Sequence, residues 1–324
     1  MDKLVSIVLP TYNGAKYIRS QVDSLLKQSY SNFELIIIDD CSTDRTEDIV
    51  REYISGEPKI RCYSNRNNMG INKNFEKGIK LTEGEIIFLC DQDDIWDEHK
   101  IEKMIYKINQ GYDLVYSDLR TINSQDVITA LSFHKIIGTD RLYSKSLSKY
   151  LLFRNATNGC SICFRKDIVD KIIPFPNFMI YDWWIMLIAS LNYKVGYINE
   201  PLMAYRLHDN NAVGLPTLEK TNEERLDGIQ QEIDRLNNLQ PYIMDNLEEK
   251  LKILSGYYCN RLGLYKKEIT YLKYINSIVS TIFYFPRLYK NIIKNLLGDT
   301  MPELHNTITR IWLKSKFKTT DNPK

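Results

Sequence analysis

No stretch of this chain is apolar for long enough to cross a membrane. The longest apolar run, residues 275–285, carries polar residues and stops at Pro286-Arg287. A spanning helix needs about 20 apolar residues. A disulfide framework is also missing. Cys41, Cys62, Cys90, Cys160, Cys163 and Cys259 are scattered, several inside apolar strand-like runs, as in a reduced, cytosolic protein. Cys160 and Cys163 make one C-x-x-C pair, but residues 159–164 read as a strand, where positions three apart face opposite sides. No second Cys pair or Cys-His pair completes a zinc site. Neither G-x-G-x-x-G nor G-x-x-x-x-G-K-[ST] occurs, so no dinucleotide or P-loop site is indicated. Histidine is scarce, and His99, His134 and His305 stand outside any motif. No internal repeat and no signal peptide is evident, and nucleic acid is not among the expected partners.

The 324 residues present suffice for one large core, or for a catalytic domain plus an appendage. The net charge of +2 conceals an asymmetry. Residues 265–324 hold eleven Lys or Arg against four Asp or Glu, a net of +7, so the first 264 residues sum to −5. Such a tail points to an acidic surface partner, either anionic lipid or protein. Leu288, Ile292, Ile293, Leu296 and Leu297 share one helical face, with Lys290 and Lys294 among the polar positions. Ile311, Trp312, Leu313 and Phe317 lie among Arg310, Lys314, Lys316 and Lys318. Apolar area beside cationic side chains suits peripheral attachment to a membrane face; a packed helical appendage is the alternative.

From residue 4 to about 116, strand-like and helix-like segments alternate. Strands are expected over residues 4–9, 35–38, 60–63, 86–89 and 114–116. The intervening helices include one marked by Ile18, Val22, Leu25 and Leu26, a polar one from about Thr43, one over 72–82, and one carrying Ile101, Met104, Ile105 and Ile108. This order argues for an α/β fold with a doubly wound, mostly parallel sheet. Residues 117–155, richer in Ser and Thr, read as a loop region. Order resumes with a strand at 159–164, helices at 166–172 and 182–191, and a strand at 194–199. Beyond Pro216 the spacing of Leu226, Ile229, Ile233 and Leu236, the break at Pro241 and the return at Leu247, Leu251 and Leu254 read as a helical hairpin.

In an open parallel sheet, ligands gather at the carboxyl ends of the strands. Four polar clusters fall there: Pro10-Thr11-Tyr12-Asn13-Gly14, Asp39-Asp40-Cys41-Ser42-Thr43-Asp44, Asn67-Asn68-Met69-Gly70-Ile71-Asn72-Lys73-Asn74, and Asp91-Gln92-Asp93-Asp94. Each also has the composition of an ordinary turn. Crowded carboxylates repel unless solvent or a cation relieves them, and an oxygen-rich cluster suits a hard divalent ion, which suits phosphates.

Val5-Ser6-Ile7-Val8-Leu9-Pro10-Thr11-Tyr12-Asn13, Phe33 through Asp44, and Asp91-Gln92-Asp93-Asp94 together resemble the family 2 glycosyltransferases of the GT-A fold. The resemblance covers roughly residues 4–210. It implies a catalytic domain over 1–215, with a nucleotide-sugar half at 1–116 and an acceptor half at 117–215, followed by a helical, basic region at 216–324. It also implies a nucleotide-diphospho-sugar donor, a glycan or lipid-linked acceptor, and Mn²⁺ or Mg²⁺. Pro10, Thr11, Tyr12, Asn13, Asp40, Asn68, Gly70, Lys73, Asp91 and Asp93 match or flank donor-binding positions. Asp93 and Asp94 match the D-x-D-type element, with Asp94 favoured for the metal, and His208 of Tyr205-Arg206-Leu207-His208 matches a position that meets metal or diphosphate. In Tyr181-Asp182-Trp183-Trp184 only Asp182 carries over as the catalytic base, because Tyr181 replaces an acidic residue; Asp182 equally suits a helix N-terminus. Gly159, Trp183, Trp184 and Arg206 are the expected acceptor or sugar contacts. The motif set further resembles bacterial rhamnosyltransferases of polysaccharide assembly, which implies dTDP-rhamnose as donor. A UDP-hexose or UDP-N-acetylhexosamine donor, or a non-catalytic scaffold role, is the alternative.

Overall fold

A computed structural model of the chain describes residues 3–139, 144–208, 221–243, 245–266 and 268–284, with 292, 295, 296 and 299. In chain order the elements begin β1 (Val5–Thr11), α1 (Ile18–Leu26), β2 (Phe33–Asp39), α2 (Thr46–Ile54), β3 (Ile60–Ser64), α3 (Ile71–Lys80), β4 (Ile86–Leu89), β5 (Ile95–Trp96) and α4 (Lys100–Asn109). They continue with β6 (Leu114–Ile122), β7 (Ile128–Ala130), α5 (Phe133–Ile137), α6 (Ser144–Phe153), β8 (Ile162–Arg165), α7 (Val169–Ile172), α8 (Tyr181–Asn192) and β9 (Val195–Arg206). Three longer helices end the series: α9 (Asn222–Leu239), α10 (Asp245–Tyr265) and α11 (Tyr271–Tyr284).

The chain divides into two compact units. Met1–Ser144 with Asn155–His208 forms the first, and Lys145–Arg154 with Asp209–Lys324 the second. Sequence reading placed a single break at 215/216 and gave no sign that 145–154 joins the C-terminal unit.

The first unit is one sheet in the order β3-β2-β1-β4-β8-β6-β9-β5, with β7 on β6. β3, β2, β1 and β4 are parallel neighbours. β8 then enters antiparallel between β4 and β6, while β6 and β9 pair in parallel along most of their length. Most paired residues therefore lie in parallel ladders. Both faces of the central strands are apolar because both are covered. Val5, Ile7 and Leu9 join Leu35 and Ile37 in the core beneath Val22, Leu25, Val50, Ile101 and Met104 of three helices. On the other face Val8 and Ile38 lie directly under Gly78 of α3. This is the expected doubly wound arrangement.

Three expectations change. Residues 117–155 are not a loop: β6 runs on to Ile122, and β7, α5 and α6 follow. Ser117, Asp118 and Thr121 look like surface residues but are buried. Asp118 accepts hydrogen bonds from Ser132 Oγ (2.5 Å), His134 N (3.1 Å) and Leu119 N (2.8 Å), which offsets the cost of burying its charge. The strand expected from residue 159 begins at Ile162, after a 3₁₀ turn at Gly159–Ser161, so the opposite-faces argument does not apply to Cys160. The strand expected at 194–199 extends to Arg206.

In the second unit α9 opens with a capping box. Thr221 Oγ1 accepts from Glu224 N (3.1 Å), and Glu224 Oε2 accepts from Thr221 N (2.7 Å). Ile229, Ile233, Leu236, Leu247, Leu251 and Leu254 are buried, as the helical-hairpin reading requires. Most of the basic tail, including Leu288, Ile293, Leu297 and 301–324, lies outside the described residues; Ile292 is fully buried. Among the described residues no helix is long and apolar enough to cross a membrane.

Candidate active site

The turns that end β1, β2 and β4 are tied to one another. Thr11 Oγ1 donates to Asp39 Oδ1 (2.9 Å), and Asp40 N donates to Thr11 O (2.8 Å). Asn13 takes a left-handed conformation, φ 50°, and its Oδ1 accepts from Thr43 N (2.8 Å). Tyr12 is held at both ends of its peptide unit: its N donates to Gln92 Oε1 (2.9 Å) and its O accepts from Gln92 Nε2 (3.0 Å). Pro10 is half-buried, and the Tyr12 ring is 47 % exposed, free to meet a ligand.

Asp40 is buried, and its carboxylate orders the loop after β3. Oδ1 accepts from Asn65 Nδ2 (2.7 Å) and Met69 N (2.8 Å), and Oδ2 from Gly70 N (2.9 Å). Gly70 sits at φ 79°, a backbone region that suits glycine. Asn68 Oδ1 also accepts from Gly70 N (3.1 Å). Lys73, half-exposed one turn on, is paired with Glu76 at 3.3 Å.

The carboxylates after β4 part company. Asp93 Oδ2 lies 2.8 Å from His208 Nε2, with both side chains 13 % exposed. Asp94 is 0 % exposed; its Oδ1 accepts from Arg206 N (3.0 Å), and its other side-chain neighbour is the Cys160 thiol. Asp94, favoured from the sequence for the metal, thus faces inward, and Asp93 is the carboxylate that meets the histidine. Burial, with Asp93 and Asp182 nearby, pushes Asp91 up to about 7. Burial raises Asp94 well above the carboxylate range.

Arg206, expected against a sugar, is 1 % exposed. Its guanidinium donates to Asp93 O (2.7 Å), Asn123 O (3.3 Å) and the Asp126 carboxylate, and lies 4.5 Å from the centre of the Tyr17 ring. It fastens the acidic turn from within.

Asp182 is the second residue of α8, whose N-cap is Ile180, so it is not the cap itself. Its Oδ2 accepts from Gly159 N (3.1 Å) and its Oδ1 from Trp183 N (2.6 Å). Burial still pushes it up to about 6, against the opposing pull of those donors and of Asn155. Tyr181 stacks on Phe75 with ring centres 3.9 Å apart and points its hydroxyl at Asp91 Oδ1 (3.4 Å). Of the two tryptophans, Trp184 is core, donating to Ile172 O (2.8 Å), while Trp183 is only half-buried.

A Cβ built on Gly159 would lie 2.1 Å from the Tyr181 hydroxyl. Gly159→Ala therefore displaces both the Tyr181 ring and the N–H that holds Asp182. The expected cost is about 1–3 kcal/mol of stability, the range for overpacking a filled site, together with loss of turnover. Urea unfolding and an activity assay check the two effects separately.

Sequence reading missed three residues here. Gln92 clamps Tyr12, although it stands in plain view inside Asp91-Gln92-Asp93-Asp94. Cys160, rejected as a ligand, lies with Asp91 and Asp94 so that their ligand atoms are within 4.8 Å of one another. Lys100 is fully buried, donates from Nζ to Cys160 O (2.5 Å) and sits 3.7 Å from the centre of the Trp96 ring; burial lowers it to about 8. As the first residue of an amphipathic helix it gave no signal.

The fit to a hard divalent ion is good. Three carboxylates crowd one turn, and an imidazole nitrogen already stands against Asp93. Oxygen donors with one imidazole suit Mn²⁺ or Mg²⁺.

An uncharacterized glycosyltransferase of Rickettsia typhi is 31% identical over 222 residues, 64% of each chain. The match therefore spans less than two thirds of that relative. The putative teichuronic acid biosynthesis glycosyltransferase TuaG of Bacillus subtilis is 37% identical over 102 residues, 32% of this chain and 40% of that one. Among solved structures, S. aureus TarS in complex with UDP-GlcNAc superposes with a TM-score of 0.57 at 17% identity, covering 97% of this chain and 89% of that one. The mannosyltransferase PcManGT of Pyrobaculum calidifontis, in complex with GDP-Man and Mn²⁺, gives 0.56 at 15%, covering 99% and 89%. At such identities the likeness concerns the fold, which is of the GT-A type. The family model described as Glycosyl transferase family 2 matches residues 6–172, more than half of the sequence, and the chain belongs to that family.

Proposed function

We propose that this chain transfers a sugar from a nucleotide-diphospho-sugar to a hydroxyl of a glycan or lipid-linked acceptor in cell-surface polysaccharide synthesis, inverting the anomeric carbon. The observation that carries this reading is Asp182. It is a buried carboxylate with raised proton affinity, fixed by two backbone N–H groups and electrostatically close to Asp91. A general base is most effective with a pKa near the working pH. Asp182 takes the acceptor proton as the oxygen attacks, and the nucleoside diphosphate departs from the opposite side. Asp93 and His208 would hold the divalent ion, which supplies charge neutralisation for the leaving diphosphate. Pro10, Thr11, Tyr12 and Asn13 line the nucleoside side with Asp91. Asp40 shapes the Asn68–Gly70 loop, and Lys73 reaches the diphosphate. Trp183 offers a sugar-stacking face, while Trp184 and Arg206 act from inside the fold.

For the donor, the motif resemblance favours dTDP-rhamnose. The likeness to TarS, solved with UDP-GlcNAc, supports UDP-N-acetylhexosamine as a second reading. A thermal-shift screen of nucleotide sugars with and without Mn²⁺ tests both, since a ligand that binds only the native state raises its melting point. The expected result is the largest shift, and Mn²⁺-dependent turnover, with dTDP-rhamnose. Turnover of a UDP-sugar without any response to dTDP-rhamnose rejects that donor. Mn²⁺-independent inertness toward every sugar nucleotide leaves the scaffold role.

The basic tail is proposed to hold the protein on the cytoplasmic face of an anionic membrane, each Lys or Arg near the surface adding about 1 kcal/mol. The full chain should float with anionic liposomes and be released by high salt, whereas a chain ending at Tyr265 should not float. Indifference of the full chain to anionic liposomes at low salt assigns the tail to packing or to a protein partner.

A further inference from the structure

Asp182 lies on the first turn of α8, and the residue before that turn does not cap it. Ile180, at the N-cap, makes no side-chain capping bond, although the first N–H groups of a helix need acceptors from outside it. The acceptor comes from α3. Tyr181 N donates to Asn72 Oδ1 (2.9 Å), across 109 residues of sequence. The same carboxamide donates through Nδ2 to Met179 O (2.8 Å) and Pro176 O (3.2 Å). One side chain thus meets one N–H and two carbonyls. An amide can do this because it carries an acceptor and two donors, whereas a carboxylate at that position would repel both carbonyls.

Asn72 has help on its own face of α3. Phe75, three positions on, stacks on Tyr181 with ring centres 3.9 Å apart, and Glu76, four positions on, accepts from Phe175 N through Oε2 (3.2 Å). Asn72, Phe75 and Glu76 therefore grip the segment from Phe175 to Tyr181 at its start, middle and end. α3 is itself fixed to the sheet. Val8 and Ile38 lie under Gly78, and Asn74 Nδ2 donates to Ile38 O (2.9 Å). Just ahead of the helix, the Asp40 carboxylate holds Met69 N and Gly70 N. On the other side of Asp182, Gly159 N donates to its Oδ2 (3.1 Å). Asp182 is thereby located against the carboxyl edge of the sheet through α3, and Asn72 is the polar link in that path.

We infer that Asn72 is a positioning residue for sugar transfer: by capping α8 from α3, it aims the Asp182 carboxylate at the acceptor hydroxyl. The inference rests on Asp182 being the general base. Asn72 takes no part in the proton transfer itself and acts through the backbone of Tyr181. Misplacing a reacting group by about 1 Å can cost about a hundredfold in rate, so removing the link should lower kcat about tenfold or more. Donor affinity should be kept, because the hold of Asp40 on the Met69–Gly70 loop does not pass through Asn72.

Two readouts on the full chain test it. Hydrogen exchange followed by mass spectrometry should quicken about tenfold or more across residues 177–184 in Asn72→Ala, and stay as in the wild type over β1 and β4. Turnover is read as Mn²⁺-dependent hydrolysis of dTDP-rhamnose, or of UDP-GlcNAc if that donor gives the larger thermal shift. Water then stands in for the acceptor: Asp182 takes its proton as the oxygen bonds to the anomeric carbon and the nucleoside diphosphate leaves. Asn72→Ala should lower kcat about tenfold or more while the donor Kd moves by less than about twofold. In the Asp182→Asn background the same substitution should cost less than about twofold, since groups that act as one unit lose their joint contribution only once. A general loss of structure would cost the same in both backgrounds. Unchanged exchange over 177–184, an unchanged kcat, a loss carried by the donor Kd, or equal penalties in the two backgrounds overturns the inference. Wild-type turnover in Asp182→Asn refutes the base reading, and the positioning role with it. An impaired Asp182→Asn beside an unimpaired Asn72→Ala refutes the positioning role alone. If Asn72→Ala fails to fold, Asn72→Ser, whose hydroxyl is small enough for the site, is read in its place.

Discussion

Asp182→Asn should slow sugar transfer by at least about a hundredfold, the usual worth of a positioned general base, while the protein stays folded and binds donor as before. The amide has the shape of the carboxylate and still accepts one of the hydrogen bonds from Gly159 N and Trp183 N. It cannot take a proton from a hydroxyl. In the wild type the base must be ionised to work, and burial places it at about 6. Turnover should therefore fall as pH drops through about 6 and level off above it.

The same shift has a stability consequence of defined sign. An ordinary aspartate titrates near 3.9 in an unfolded chain, so between there and about 6 the folded state holds the extra proton. Stability from that proton is complete below about 4 and is lost as pH rises through the folded value. Above pH 6 the buried charge costs up to about 3 kcal/mol, from about two units at 1.36 kcal/mol each. The asparagine avoids that cost but gives up one accepted backbone hydrogen bond, worth about 0.5–1.5 kcal/mol. Thermal melts should show Asp182→Asn equal to or above the wild type at pH 8, with any advantage gone at pH 4. A variant that turns over near the wild-type rate would reduce Asp182 to a brace for Gly159.

The parallel half of the fold was legible because its strands are buried on both faces and read as unbroken apolar runs. β4 spans the expected Ile86–Leu89, and β1, β2 and β3 differ from expectation by a residue or two. What escaped detection was burial that depends on a distant partner. Asp118 and Thr121 end an apolar run in sequence, yet the strand continues because Ser132 and His134, more than ten residues on, supply donors to Asp118, and Thr129 meets the Thr121 hydroxyl. Arg206 reads as a side chain facing outward beside His208. It is internal because Asp126 and the Asn123 carbonyl, some 80 residues earlier, meet its guanidinium. Lys100 is the same case, with Trp96 and the Cys160 carbonyl as its partners. Motif matching located the acidic turn but not its sidedness, since adjacent residues at a strand end point different ways. Only packing against β9 reveals that Asp94 turns inward to Arg206 N while Asp93 meets His208.

That sidedness yields the second large effect. His208→Ala and Asp93→Asn should each cut Mn²⁺-dependent nucleotide affinity and turnover by more than the 10–100-fold typical of losing an outer-shell partner, because each removes a proposed ligand. Binding of nucleotide in EDTA should be nearly unchanged in both. Both side chains are largely buried, so each variant is first checked for an unchanged melt; Tyr17, which packs 5.0 Å from the His208 ring, keeps its contact with the Arg206 guanidinium. Asp94→Ala should behave differently. Its Oδ1 accepts from Arg206 N, so the variant unfastens the end of β9 and should weaken nucleotide binding in EDTA and in Mn²⁺ alike. Calorimetric titration of the nucleotide into the three variants, with Mn²⁺ and then with EDTA, compares them directly. If Asp94→Ala loses only the metal-dependent part and His208→Ala loses none, the ion sits on the inner carboxylate and the assignment to Asp93 and His208 is wrong.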